Sequence, residues 1–166
     1  KEQKFDKFLY RGVFGSQKKG GVINNAFNLN LKNIANTHVV KLGDELLALW
    51  EAAGPHSLDP NNLETKGLTT LKGVLKKNEA FSAHPKVDFN SNSADEVFIT
   101  FGVQTGPTST IRLMEFSNSG NNSGKILFDR KDKLKGFAFL HDFAITKNWA
   151  IFLQNAIDFN PLPFVM

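Results

Sequence analysis

The chain has 166 residues, enough for one ordinary domain, and its 41% apolar content can form a core, which argues against wholesale disorder. It contains no cysteine, so disulfide scaffolds and thiolate metal sites are excluded, and any metal must bind to His, Asp or Glu. The net charge of +4 is spread over short, separate clusters, which argues against a nucleic-acid-binding protein because such proteins usually carry a dense basic stripe.

The sequence contains no segment that would insert it into a membrane. No uninterrupted apolar stretch reaches the roughly 18 residues that a membrane span needs, and no signal peptide is visible. The absence of cysteine also fits a reducing compartment, so we expect a cytoplasmic protein. The chain starts at Lys1 and ends in an apolar tail at residues 160–166, so we expect it to be a piece of a longer protein.

Short strand-like segments begin after a loop-rich lead-in at residues 1–30, which is rich in glycine and asparagine. Residues 37–42 and 46–51 predict a hairpin around the sequence Gly-Asp-Glu at 43–45. Residues 59–62, Asp-Pro-Asn-Asn, have the chemistry of a turn between two further short strands.

The second half of the chain continues this pattern. Strands are predicted at residues 96–103, 110–116, 125–129, 137–146 and 149–155. Residues 117–124 are rich in serine, asparagine and glycine and form a solvated hairpin loop, while Lys147 and Asn148 form the last turn. Strand after strand with short turns predicts an all-β fold, an antiparallel meander such as a sandwich, barrel or propeller.

The four histidines, at positions 38, 56, 84 and 141, have no short metal-site spacing between them, so any shared site must be assembled from distant segments. The ordinary interpretation of each is a hydrogen-bonded structural or surface residue. His84 precedes Pro85, which favours an extended backbone at the histidine. His141 lies in an apolar predicted strand, where an imidazole must have a partner or stay neutral, and the neutral form is the one that binds metal.

Six blocks of the sequence resemble the successive blocks of the carotenoid cleavage oxygenase family, in the family's order. They are KNIANTH at 32–38, LALWE at 47–51, GPHSLDP at 54–60, LET at 63–65, FSAHPK at 81–86 and HDFAIT at 141–146. Relatives include apocarotenoid and stilbene cleavage enzymes and the retinoid isomerase of the eye. The resemblance implies a seven-bladed β-propeller, of which residues 1–166 would be a single partial domain with about two to three blades.

The resemblance also implies a non-haem ferrous iron, Fe(II), held by four histidines on the propeller axis. His84 corresponds to the first ligand and His141 to the second, whereas the third and fourth ligand blocks are missing from this chain. Glu51 corresponds to a glutamate that hydrogen-bonds a ligand imidazole, which sets its tautomer and raises its basicity. Thr37 corresponds to a side chain beside the open coordination position. His56 corresponds to no ligand and lies in a predicted turn.

The parent enzyme implied by the resemblance uses dioxygen to split a conjugated double bond of an apolar polyene, a carotenoid or apocarotenoid, into aldehyde or ketone products. A stilbene-cleaving or retinoid-isomerising relative and a non-catalytic β-propeller binding module are the alternatives. With two of four ligands, we expect the isolated chain to be inactive, to bind iron weakly or not at all, and to self-associate through exposed strand edges. Peripheral membrane contact by the parent remains open, and no nucleic-acid partner is expected.

Overall fold

The structure is a computed structural model, and it describes residues 33–77, 79–89 and 96–156 together with two short strands near the start of the chain. The chain divides into two compact units, Lys1–Ile34 and Ala35–Met166. Most of the predicted lead-in at residues 1–30, and the apolar tail at residues 160–166, lie outside the described residues.

In the described part of the first unit, two short strands form an antiparallel pair. These are β1 (Gln3–Lys4) and β2 (Lys7–Phe8), with Gln3 opposite Phe8. Neither strand carries a predicted site residue.

The second unit begins with a four-stranded antiparallel meander, called here the first sheet, in which each strand pairs with the next along the chain. Its strands are β3 (His38–Leu42), β4 (Glu45–Leu49), β5 (His56–Leu58) and β6 (Thr65–Leu68). The hairpin between β3 and β4 turns at Gly43, whose φ of 60° costs glycine nothing. The turn predicted around His56 is wrong, because this residue starts β5 and lies opposite Ala48 in the ladder with β4.

A second four-stranded antiparallel meander, the second sheet, follows with the spatial order β10-β9-β8-β7. Its strands are β7 (Lys86–Phe89), β8 (Glu96–Gln104), β9 (Ser109–Ser117) and β10 (Ile126–Leu134). The prediction ended β10 at residue 129, but the strand continues to Leu134. Its middle residues are all exposed, so its ladder with β9 needs no apolar side chains. A single 3₁₀ turn, Gly120–Asn122, is the only helical segment in the described part, where no helix could cross a membrane.

The last hairpin is much shorter than predicted. Its strands are β11 (Ala144–Ile145) and β12 (Ala150–Ile151), and His141 lies in an irregular segment before β11 rather than inside a strand. The backbone at residues 136–138 is engaged elsewhere, because the Ser109 N–H donates to the Gly136 carbonyl at 3.0 Å and the Ala138 N–H donates to Ser109 Oγ at 2.9 Å. This segment therefore docks on β9 instead of lengthening the hairpin.

The second sheet is covered on both faces. Alternate residues of β8 point to opposite sides, so Phe98 packs with Leu47 of the first sheet while Phe101 packs with Leu140 and Phe143 near the last hairpin. Two complete four-stranded meanders and the start of a third agree with the predicted two to three blades of a propeller.

Residues 80–84, called here the crossing segment, run close over the backbone of β8. A Cβ atom at Gly102 would collide with the Ala80 carbonyl oxygen, so only glycine fits there without a backbone shift. The Phe81 N–H donates to the Ala53 carbonyl at 3.2 Å, and the Ser82 N–H donates to the Phe101 carbonyl at 2.6 Å. The crossing segment is thus fastened to the loop between β4 and β5 and to strand β8, and it ends at His84.

Candidate metal centre

Two imidazoles from distant parts of the chain meet at one point. Nε2 of His84 lies 3.0 Å from Nε2 of His141, although 57 residues separate them in sequence. Their ring centroids are 4.5 Å apart. Two imidazole nitrogens that each lie about 2.1 Å from one divalent ion, at a right angle to each other, are about 3.0 Å apart. The spacing of the pair therefore fits two adjacent ligands of a single metal ion.

Glu51 holds the imidazole of His141. Its Oε1 lies 3.0 Å from Nδ1 of His141, and its side chain is only 14% exposed, against 56% for the histidine. A carboxylate only accepts hydrogen bonds, so Nδ1 carries a proton, and in the neutral form of the ring the lone pair is on Nε2. The buried carboxylate thereby favours the Nδ1-protonated tautomer, and the imidazole that it contacts is that of His141.

The backbone around His84 is positioned by two further contacts. The His84 N–H donates to Ser82 Oγ at 3.0 Å. Nδ1 of His38, the first residue of β3, lies 2.9 Å from the carbonyl oxygen of Ala83. The ring centroids of His38 and His84 are 6.4 Å apart, too far for ring contact of the kind that His141 makes.

A second bridge joins the two histidine-bearing segments. Lys86, two residues after His84, forms a 2.8 Å ion pair with Asp142, the neighbour of His141. Burial raises the pKa of Asp142, but the hydrogen bonds from Lys86 and the Phe143 N–H and the positive charge of Lys86 outweigh it and lower this pKa overall. Both partners are partly exposed, so the pair contributes about 0–1 kcal/mol to stability. It orients the segments more than it stabilises the fold.

Thr37 and His56 lie outside the pair's contacts. The Thr37 N–H donates to the Leu49 carbonyl at 3.0 Å, which extends the β3–β4 ladder by one residue and places Thr37 beside His38. Burial lowers the pKa of His56 and keeps its imidazole neutral. Its Nδ1, like Oε2 of Glu51, is buried without a hydrogen-bond partner among the described residues. The structure brings together His84, His141 and Glu51, and Thr37 keeps its role only as a prediction.

The pair offers two imidazole donors and no more. Within residues 33–77, 79–89 and 96–156, no group of three or more His, Cys, Asp or Glu side chains could hold a metal ion. Imidazole suits iron, zinc, copper and nickel, so the donor set fits a first-row transition metal that takes its remaining ligands from elsewhere.

Sequence reasoning missed His38, Lys86 and Asp142. Lys86 and Asp142 could have been found from their positions within two residues of the candidate ligands, and His38 from its position next to Thr37. No sequence pattern gives the partner of His38, because its bond to the Ala83 carbonyl joins residues 45 positions apart.

The chain is similar to known proteins over nearly its whole length. Residues 1–164 match the family described as Retinal pigment epithelial membrane protein. The apocarotenoid-15,15'-oxygenase of Synechocystis sp. is 46% identical over 166 residues, which is 99% of this chain and 33% of that protein. Resveratrol cleavage oxygenase 1 of Botryotinia fuckeliana is 30% identical over 148 residues, 89% of this chain and 26% of that protein.

Solved structures give the same picture. A mutant of the Synechocystis apocarotenoid oxygenase superposes with a TM-score of 0.81 at 45% identity, over 96% of this chain and 33% of that one. The cobalt-substituted Synechocystis enzyme superposes with a TM-score of 0.81 at 46% identity, over 94% of this chain and 32% of that one. The chain spans about a third of the length of these relatives.

Proposed function

This chain belongs to the Retinal pigment epithelial membrane protein family, and on that basis we propose that it forms part of a non-haem iron(II) dioxygenase. The complete enzyme would cleave a conjugated double bond of a carotenoid or apocarotenoid to aldehyde or ketone products. The observation that carries the proposal is the 3.0 Å approach of the two Nε2 atoms of His84 and His141, with Glu51 behind one of them.

We assign metal binding to the Nε2 atoms of His84 and His141. Ferrous iron, when bound, supplies the activation of dioxygen. Glu51 keeps His141 in the Nδ1-protonated tautomer and makes its imidazole a stronger donor. Thr37, next to His38 at the start of β3, would limit access to an open coordination position. Two further ligands would come from outside this chain.

The names of relatives guide the assignment of the substrate class. The 46% identity to an apocarotenoid oxygenase supports an apolar polyene as substrate. The 30% identity to a resveratrol cleavage oxygenase makes a stilbene the second candidate. We keep a cytoplasmic location, with peripheral membrane contact of the complete enzyme, as part of the same proposal.

Paramagnetic Co²⁺ tests the metal assignment, because even weak binding broadens the NMR signals of nearby imidazoles. We expect Co²⁺ added to the 166-residue chain to broaden the His84 and His141 ring signals first. The His141→Ala variant should lose the selective broadening of His84, and His56→Gln should keep it because His56 lies outside the pair. Equal broadening of all histidines, or selective broadening of His84 that survives in the His141→Ala variant, would contradict the assignment.

The isolated chain should leave its substrate intact. Two imidazoles leave a bound metal mostly to solvent, so it can be neither held tightly nor enclosed in a dry site. We expect no loss of polyene absorbance when the iron-loaded chain is incubated with an apocarotenal. Measurable cleavage by this chain alone would show that two ligands suffice and would overturn the need for the missing ones.

A further inference from the structure

We propose that His38 is a positioning residue that holds His84 opposite His141 by binding the carbonyl of Ala83. The observation is the 2.9 Å distance between Nδ1 of His38 and the Ala83 carbonyl oxygen. The inference rests on the proposed function, because it takes His84 as a metal ligand. It adds a third histidine to the site, one that acts through the backbone.

The chemistry of this contact determines that Nδ1 of the His38 ring carries a hydrogen. A carbonyl oxygen has no proton to give, so Nδ1 must carry the hydrogen and donate it. Ala83 has no exposed surface, so its carbonyl has little access to water. A buried carbonyl without a donor destabilises the fold, and the hydrogen bond from the His38 side chain removes this penalty.

The bond acts on the peptide unit that leads into His84. The Ala83 carbonyl and the His84 N–H belong to one rigid plane. His38 holds the oxygen of this plane, and Ser82 Oγ holds its N–H at 3.0 Å. With both ends held, the plane cannot rotate, and the direction in which the His84 side chain leaves the backbone is set.

The rest of the crossing segment is fastened separately. The Phe81 and Ser82 N–H groups donate to the carbonyls of Ala53, in the loop between β4 and β5, and of Phe101 in β8, so these two contacts fix the start of the segment. The Ala83 carbonyl is the last backbone acceptor before His84, and its bond comes from β3. His38 therefore controls the part of the segment nearest the metal pair.

A direct ligand role for His38 fits the geometry less well. Its ring centroid lies 6.4 Å from that of His84, against 4.5 Å between His84 and His141. No cluster of three metal-ligating side chains occurs among the residues that the structure describes. The short contact of His38 is to the backbone.

Three variants of His38 separate the donor from the rest of the side chain. Nδ2 of asparagine occupies the place of Nδ1 of histidine, since both follow Cγ, so His38→Asn keeps a donor for the carbonyl. His38→Asp has the same shape but presents an oxygen that repels the carbonyl. His38→Leu removes the donor without adding charge. If His38→Leu and His38→Asp weaken the same readout, the cause is therefore the missing donor and not the added charge.

The first readout needs no metal. In the wild-type chain and His38→Asn we expect an NOE between the ring protons of His84 and His141 and slow exchange of the His84 amide. In His38→Asp and His38→Leu we expect this NOE to disappear and the amide to exchange about tenfold faster. If the Asn and Asp variants behave alike, the proposal is overturned. Should His38→Leu fail to fold, the comparison of the Asn and Asp variants still decides.

The second readout is the affinity for Co²⁺, with urea unfolding as a control. Co²⁺ should bind the wild-type and His38→Asn chains alike and the Asp and Leu variants about tenfold more weakly. If urea midpoints fall while the NOE and the exchange rate stay unchanged, His38 is merely structural and the proposal fails. If Co²⁺ binds the wild-type chain without affecting the His84 and His141 ring signals, the proposed function fails, whereas the metal-free readout still tests whether His38 positions His84.

Discussion

Arg112 of β9 is buried among opposite charges, between strand β10 and the loop that precedes the crossing segment. Its Nε and Nη2 donate to Asp129 at 2.8 and 2.7 Å, its Nη1 donates to Glu79 at 3.0 Å, and its Nη2 also reaches the Val74 carbonyl at 3.0 Å. The side chain is only 11% exposed. One guanidinium thus ties β9, β10 and the loop before the crossing segment together.

Removing this guanidinium should destabilise the chain strongly. Arg112→Met keeps most of the side-chain volume but leaves Glu79 partly buried without its main partner, so we expect the free energy of unfolding to fall by about 3 kcal/mol. Arg130→Met is the matched control. The exposed Arg130 pairs with Asp132 at 2.8 Å on the surface, and its loss should cost about 0–1 kcal/mol. Urea unfolding of both variants at neutral pH checks this, and equal losses would contradict it.

The same cluster sets an acid limit on stability. The hydrogen bond from Arg112 lowers the pKa of Asp129, and burial, which would raise the pKa of Glu79, is outweighed by the Lys76 N–H, Arg112 and Lys131. A carboxyl whose pKa is lower in the folded state contributes its full stabilisation when the pH is above its pKa in the unfolded chain, which is about 3.9 for Asp and 4.3 for Glu. This stabilisation is lost as the pH falls through the pKa of the folded state. Stability should therefore drop below about pH 4, and less steeply in Arg112→Met. Unfolding midpoints measured from pH 6 to pH 3 test the difference in slope.

At the scale of elements, the crossing segment depends on Gly102. Alanine at this position would push against the Ala80 carbonyl, so Gly102→Ala should lower the free energy of unfolding by about 1–3 kcal/mol and weaken the His84–His141 NOE. Gly106→Ala is the control, since its nearest contact would be an ordinary 3.5 Å to the Thr108 carbonyl oxygen. Neither glycine has a positive φ, so backbone strain does not separate the two variants. A Gly102→Ala chain as stable as the control would sink the argument.

The elements that sequence predicted best are those with a clear local pattern. The hairpin at Gly43 and the long strand β8 follow from turn chemistry and from β-branched and aromatic residues. The last hairpin was predicted too long, because the backbone before β11 forms hydrogen bonds with Ser109 instead of continuing the hairpin. A contact between segments so far apart in sequence leaves no local pattern that could predict it. Strand β10 was predicted too short, because its residues 129–133 are all charged. An exposed edge strand does not need an apolar pattern, so these residues carry no strand signal.

The candidate site was predicted through resemblance rather than through local pattern. The family blocks assigned His84, His141 and Glu51, and the family match over residues 1–164 confirms the resemblance. They could not reveal that Glu51 serves His141, or that His38 binds the Ala83 carbonyl, because both contacts depend on how the first sheet packs against the segments that follow it. Pairings of this kind are fixed by tertiary structure alone.

At the scale of the whole chain, two of the edge strands of the second unit, β10 and β12, differ in the side chains that they expose to solvent. Strand β10 presents Asp129, Arg130 and Lys131 along its exposed length, and charges on an edge strand discourage pairing with another chain. Strand β12 pairs only with β11 in the described part and lies among Trp149 and Leu153, which are 72% and 81% exposed. Apolar edges of this kind favour self-association.

We therefore expect the 166-residue chain to self-associate through β12. Its average mass in sedimentation velocity should rise with concentration, because pairing at this edge hides Ile151 and Leu153 and satisfies free backbone groups. Ile151→Lys should lower this tendency, since it places a charge on the edge. Leu127→Lys, on a residue of β10 with 55% exposure against 54% for Ile151, is the matched control and should change little. A wild-type chain that stays monomeric up to millimolar concentration would refute the expectation of self-association. If both substitutions had equal effects, the contact would not be at β12.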